Sequence, residues 1–431
     1  MDFQENFLQT VWKYQYFDKK NLQTTTGQNL EVKKIGFHNF HEGPDFLEAH
    51  LKIGNLDYHG HVEIHRNASD WNHHAHSQDD KYNSVILHVV FNHDVPIFHR
   101  DGSPIPTLEL KGKIWLDVIR NYERLTLNKG EILCGDSIGS VPQIIKFSML
   151  EKALVERMEL KSQKVLEILQ KTGMDWEETA YRWMLNCFGF KTNSDSMLIL
   201  AESLPFKILQ KQGSKFMVLE ALLLGQAGLL YDASRDERTI FLKSEYDFYQ
   251  KKYGLKSNLN YHDWKFMGVR PGNFPYQRIA QLAQIIAKNP SLFSTILDAS
   301  QGLGKFKEIF TIEVAPYWQQ HTRPGISSKR KLAASLSKDT INLLIINLIT
   351  PLWYAYGQYL NDPDWKEKCF ELLQEIPSEN NFIIRKFAQI GWPADNAFDS
   401  QGMIGLYRQY CKTKRCLDCK IGQSLLKPTK R

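Results

Sequence analysis

Residues 56–65, LDYHGHVEIH, alternate without a break. Asp57, His59, His61, Glu63 and His65 occupy one set of positions. Tyr58, Gly60, Val62 and Ile64 occupy the other. A period of two fits an extended strand, whose successive side chains point to opposite faces. The stretch therefore predicts a strand with one face turned to a core and one face loaded with titratable groups. Imidazoles and a carboxylate make a poor core, so that second face is expected to be a site. FLEAHLKI (46–53) lies just before it, across Gly54-Asn55, and predicts the other arm of a hairpin. LEVKKIGF (30–37) reads as a further strand. SVILHVVF (84–91) is nearly continuous in apolar residues, as expected of a strand buried on both faces. PIFH (96–99) and TLELKG (107–112) read as edge strands, and a short helix is expected near 72–82. Ahead of them all, Phe3, Phe7, Val11, Tyr14 and Phe17 recur at helical spacing through residues 2–18.

From about residue 145 the period changes. SMLEKALVERMELKSQKVLEILQK (148–171) opens a series of helical stretches punctuated by Pro and Gly. The predicted class is α+β: a mixed sheet with helices over 1–140, then an all-α domain over 141–431 that ends in a basic, cysteine-rich tail. The net charge of +6 conceals a division. Residues 1–110 hold nine Lys/Arg against fifteen Asp/Glu and carry twelve of the fourteen histidines. The excess of positive charge lies in the rest of the chain, which points to an anionic partner there. The longest apolar run, INLLIINLITPLW (341–353), is too short to span a bilayer, and the N-terminus has no signal-peptide pattern. Six cysteines do not make a disulfide scaffold, so a reducing cytoplasm is expected. No phosphate-binding glycine loop or dinucleotide fingerprint is present.

Two clusters carry the chemistry. The first joins GPDF (43–46) to Glu63-Ile64-His65. Pro-Asp, a hairpin, and then an acid two residues before a basic side chain resemble the core motif of the PD-(D/E)xK nuclease superfamily. The order of helix, three strands, short helix and strand is similar to its restriction-endonuclease-like core. That resemblance implies a metal-dependent nuclease. Asp45 and Glu63 would bind Mg²⁺ or Mn²⁺, and His65 would stand where the family has lysine. It also allows Glu5, on the first helix, as a further carboxylate. A histidine there could act as a base near neutral pH or ligate a softer metal. The second cluster is SDWNHHAHSQDDKY (69–82), in which His74 and His76, with His61 from the strand, are candidate metal ligands. His88, inside the apolar run, reads as a core histidine. Strand geometry sets a condition on this reading. A two-residue turn at Gly54-Asn55 pairs Phe46 with Glu63 and points Asp45 to the wrong face. The site therefore requires an irregularity, expected at Pro44-Asp45.

Taken over nearly its whole length, the chain resembles an uncharacterised bacterial family known only as a domain of unknown function. The segments GPDF, GHVEIH, SDWNHHAH, YNSVILHVV, RPGNFPYQRIAQLA and YCKTKRCLDCKIG carry this resemblance. It implies no activity. Near the C-terminus Cys411, Cys416 and Cys419 have a spacing that suits Zn²⁺ or an iron–sulfur cluster. A fourth ligand is needed, with Cys134, Cys187, Cys369 or a histidine as candidates. The neighbouring lysines are expected to lower the thiol pKa values. Arg270 and Arg278, at a Pro-defined helix start, and Lys414 and Arg415, in the tail, are candidate contacts to DNA or RNA. Three functions follow: a metal-dependent nuclease, a non-catalytic nucleic-acid-binding module of the same fold, or a histidine-site metal hydrolase unrelated to nucleic acid.

Overall fold

The computed structural model describes residues 3–231, 236–298 and 302–428. The chain is mixed α+β, with an N-terminal mixed sheet and helices followed by a helical region. It divides into two compact units, Met1–Met149 with Tyr407–Arg431, and Leu150–Leu406. The cysteine-rich tail joins the first unit. Apolar burial is the reason. Leu426 lies in the first unit's core and Leu417 packs against it.

The first unit contains α1 (Glu5–Tyr14), β1 (Leu30–Lys34), β2 (Phe37–His38), β3 (Phe46–Ile53), β4 (Leu56–Asn67), α2 (Asp70–His73), β5 (Val85–Asn92), β6 (Thr107–Glu109) and α3 (Leu116–Thr126). The sheet order is β1-β3-β4-β5-β6, with β2 also paired to β3. β1, β3 and β4 run antiparallel, and β5 and β6 continue in parallel with β4. The strand expected over 30–37 is broken in two. Gly36 at the break has φ +94°, and a Cβ there would lie 2.7 Å from the Leu47 carbonyl oxygen. The stretch at 96–99 forms a single bridge, Phe98 with Pro104, and β6 stops at Glu109.

The alternation of β4 separates two cores. Val62 and Ile64 join Phe7, Val11, Leu51, Leu87, Val89 and Val118 on the side of α1 and α3. Trp71, Tyr82, Val85, Val90, Ile97 and Ile105 form a smaller cluster. Each such aliphatic or aromatic side chain contributes about 1.5–3 kcal/mol on burial. Glu63, His65 and His88 belong with the smaller cluster: Trp71 packs edge-on against His88 at 5.6 Å between centroids.

The second unit is helical apart from a short hairpin, His321–Arg323 against Ile326–Ser327. Its buried Glu220 is satisfied by Arg238, at 3.0 Å to both carboxylate oxygens, and by Trp318 Nε1 at 2.7 Å. The apolar run 341–353 contains a π-helical turn, Ile345–Ile349, just before Pro351. Proline has no N–H to give the Asn347 carbonyl, and the Cys187 thiol donates to that carbonyl at 3.4 Å instead. Among the described residues no helix is long and apolar enough to cross a membrane.

Candidate metal centre

The hairpin of β3 and β4 begins in regular register, from Ile53 opposite Leu56 to Ala49 opposite Gly60. Beyond Ala49 the register shifts by one, so that Phe46 faces Val62. The extra residue is taken up at Leu47-Glu48, where Glu48 adopts a left-handed φ of 56°. Asp45 therefore stands opposite Glu63. The required irregularity exists, but it is a bulge three residues beyond the expected place, because β3 can absorb a residue there without breaking the pairing at its end. Three donors fix the two carboxylates. The Asp45 N–H donates to Glu63 Oε2 at 3.0 Å, the Ile64 N–H to Asp45 Oδ2 at 3.0 Å, and Gln9 Nε2 of α1 to Asp45 Oδ1 at 2.8 Å. The bulged Glu48 N–H finds an acceptor in His61 Nδ1 at 3.3 Å. His61, a predicted ligand, thus supports the bulge and is not one of the clustered histidines.

Glu63 Oε1 faces the histidines. It lies 3.5 Å from His65 Nε2 and 3.4 Å from His76 Nε2. His65 Nε2 is 3.3 Å from His76 Nε2 and 3.2 Å from His74 Nδ1. The three histidines can each offer one nitrogen within 4.8 Å of the others. A tetrahedron with metal–ligand bonds of about 2.0–2.1 Å has edges of about 3.3 Å. Four of the six edges of such a tetrahedron are met, and the three imidazole nitrogens are the set that could hold a small divalent cation, with Glu63 Oε1 beside two of them. α2 and the following turns, which carry His74 and His76, belong to the connection between β4 and β5 and bring these side chains over the end of β4. The single helix expected near 72–82 is instead α2 and two short 3-10 turns. His76 also stacks on Tyr82 at 3.8 Å.

The electrostatics agree with the geometry. Burial raises Asp45 to about 7, and the nearby Glu5 charge adds to the effect. Burial, then the charges of Asp45 and Glu5, raises Glu63 to about 9. Burial and the mutual acidic charges thus favour the protonated carboxyls in the metal-free pocket, and a bound cation would displace those protons. Burial holds the rings neutral, His65 at about 3 and His76 at about 4, and neutral imidazole is the ligating form. The role of a base working near neutral pH does not suit His65 in this setting.

Sequence reasoning missed several contributors. Gln9 anchors Asp45, and Tyr82 supports His76. His88, read as a core histidine, is buried, but its Nε2 meets His65 Nδ1 at 2.8 Å. It fixes the His65 ring with Nε2 turned to the other donors. The sole signal was its place in β5 beside Glu63. Glu5 lies within electrostatic reach of His74, Asp70, Asp45 and Glu63.

The remaining candidates lie elsewhere. Arg270 and Arg278 both line a cavity of about 380 Å³ in the second unit. Arg278 is buried, bonded to Gln281 Oε1 at 2.9 Å and Asn273 Oδ1 at 2.7 Å, and lies over the Phe190 ring. It is therefore largely a packing arginine. Arg415 is exposed and paired with Asp418 at 2.9 Å, and Lys414 is exposed with a left-handed φ of 55°. Cys411, Cys416 and Cys419 lie in the first unit. Their lysine neighbours were expected to lower the thiol pKa values, but burial raises Cys416 to about 11 and raises Cys411 too.

No curated protein and no solved structure matches this chain. A family model does, over residues 5–382, a range that includes GPDF, GHVEIH, SDWNHHAH and RPGNFPYQRIAQLA but ends before the cysteine motif. With the matched range covering most of the chain and the whole histidine–carboxylate centre, the protein belongs to the family described as protein of unknown function DUF2851.

Proposed function

We propose that this protein is a metal-dependent phosphodiesterase acting on nucleic acid, with its centre at Asp45, Glu63, His65, His74 and His76. The observation that carries the reading is the bulge at Leu47-Glu48, which sets two carboxylates opposite each other and beside three converging imidazoles. The element order also supports it. With β1 and β2 counted as one interrupted strand, the first unit runs helix, three strands, short helix, strand, as the nuclease core does. Glu63 and the three histidines would hold the cation, and the mixed nitrogen and oxygen donors favour Mn²⁺ or Zn²⁺ over Mg²⁺. When bound, such a cation polarises a phosphate oxygen and acidifies a water ligand. Asp45 would accept a proton or hydrogen bond at the edge of the centre, held in place by Gln9 and the Ile64 N–H. His88 would keep the His65 ring oriented through its hydrogen bond.

The match of the donor separations to a tetrahedral ion favours a second reading, a histidine-site metal hydrolase whose substrate is not nucleic acid. One experiment separates them. Single- and double-stranded DNA and RNA are incubated with the full chain in Mg²⁺, Mn²⁺ or Zn²⁺, alongside Asp45→Asn and Glu63→Gln. The first reading expects cleavage that falls about 10²-fold or more in both variants. Cleavage unchanged by the substitutions refutes it. Tight metal binding without cleavage of any of the four substrates supports the second reading. Salt-dependent nucleic-acid binding without turnover points to a non-catalytic module.

A further inference from the structure

Cys411, Cys416 and Cys419 supply three thiols within one short segment, and a closed thiolate site needs four. The fold selects the fourth. Cys187 and Cys369 lie in the helical unit, where each thiol donates to a backbone carbonyl: Cys187 to Asn347 at 3.4 Å, and Cys369 to Thr350 at 3.3 Å. Cys134 lies in the first unit, on the segment against which the tail packs. Tyr407 Oη donates to Glu131, Lys420 Nζ to Ser148 Oγ, and Asn121 Nδ2 to the Lys427 carbonyl at 3.1 Å. These bonds clamp the tail on both sides of its cysteines. Cys134 is within electrostatic range of Cys411, Cys416 and Cys419, all separated from it by more than 270 positions of sequence.

The four thiols stand on distinct elements of the first unit. Cys411 ends a π-helical turn, Tyr407–Cys411, after which Lys414 turns left-handed and the Arg415 N–H closes onto the Tyr410 carbonyl at 2.8 Å. Cys416 opens a 3-10 turn and Cys419 caps the helix Lys420–Leu426. Gly422 allows that helix to lie on the turn, since a Cβ there would be 2.0 Å from the Cys416 carbonyl oxygen. Cys134 begins the turn Gly135–Ser140 on the other side. None of the four is in a disulfide.

We infer that Cys134, Cys411, Cys416 and Cys419 form a four-thiolate site for a thiophilic metal centre, either Zn²⁺ or an iron–sulfur cluster, which staples the C-terminal segment to the sheet-bearing unit. The site is separate from the histidine–carboxylate centre and shares no residue with it. Four protein thiolates leave no open position for a substrate, so the centre does not bind one.

The test is metal analysis of the full chain purified without oxygen. Wild type is expected to carry about one Zn²⁺, or about two or four Fe with matching sulfide and brown colour, per chain at this site. The metal type identifies the centre. Cys134→Ser is expected to lose at least about nine-tenths of that metal, while Cys187→Ser and Cys369→Ser keep it. Should Cys134→Ser fail to fold, titration of wild type with an organomercurial replaces it, and about four thiol equivalents are expected to release the metal. Full metal content in a folded Cys134→Ser overturns the inference. So does wild type that takes up neither Zn²⁺ nor iron and sulfide on reconstitution, or whose metal is indifferent to thiol modification.

Discussion

Glu63 does two jobs with its two oxygens. Oε2 accepts the Asp45 N–H, and Oε1 faces His65 and His76. Glu63→Gln keeps the shape but brings an N–H₂ donor to one of those positions and removes the charge. Isothermal titration with Zn²⁺ or Mn²⁺ should then give an affinity lower by well over tenfold. His88→Gln tests the support of the His65 ring. It should weaken metal binding by about 10–100-fold with the far-ultraviolet circular dichroism unchanged. An unchanged affinity would make His88 a packing residue only. The same carboxylates set a pH dependence. Asp45 and Glu63 have pKa values of about 7 and about 9 in the folded chain, above the ordinary value of about 4 expected when unfolded. The folded state therefore holds protons that the unfolded state releases. Their contribution to stability is fully present below the ordinary value and is lost as pH rises toward 7 and then 9. Below about pH 7 the buried histidines oppose this trend, because they stay neutral when folded and take up protons when unfolded. From pH 7 to pH 9 they are neutral in both states, and metal-free protein should show a Tm that falls. Saturating Zn²⁺ or Mn²⁺ should reverse the trend, because the cation takes the protons' place. A flat or rising metal-free profile over that range would contradict this account.

At the scale of elements, the bulge in β3 sets the register that places Asp45 opposite Glu63. Deleting Leu47 should remove the bulge while Glu48 stays opposite His61, Phe46 opposite Val62 and Asp45 opposite Glu63. The expected outcome is a folded protein that keeps its metal affinity, read by isothermal titration and circular dichroism together. Glu48→Gly tests the same bulge without shortening the strand. Glycine accepts a φ of 56° without a Cβ penalty, so the variant should keep its metal affinity. The sequence made the hairpin legible, since Gly54-Asn55 and the two alternating arms are local signals. It also made the need for an irregularity legible, but not its place. Bulge position depends on which register lets Phe46, Ala49 and Leu51 all reach the core while β4 pairs with β5 on its other edge. Those are contacts between strands, and no window of sequence contains them. The same holds for His74 and His76. They sit in a polar connection whose composition suggests only a loop, and α2 with its turns brings them back over β4.

For the whole molecule, the first unit is discontinuous in sequence. Ending the chain after Leu406 removes the buried Leu426 from its core, together with the buried Ile421 and the partly buried Leu417. Two buried aliphatic side chains correspond to about 3–6 kcal/mol, so thermal unfolding should begin many degrees lower, or the soluble yield should collapse. A truncated chain with unchanged melting would show that the tail is ornamental. The sequence by itself determined the hairpin of β3 and β4, the buried strand β5, the first helix, the change of period near 145 and the residue types able to bind metal. Those properties follow from side-chain periodicity and backbone preference, which act over a few residues. The tertiary structure alone decided that Asp45 faces Glu63, that His88 rather than His61 supports the centre, and that the tail packs beside Cys134. Each of these is set by burial and pairing among segments far apart in sequence, where the free energy of packing outweighs local preference.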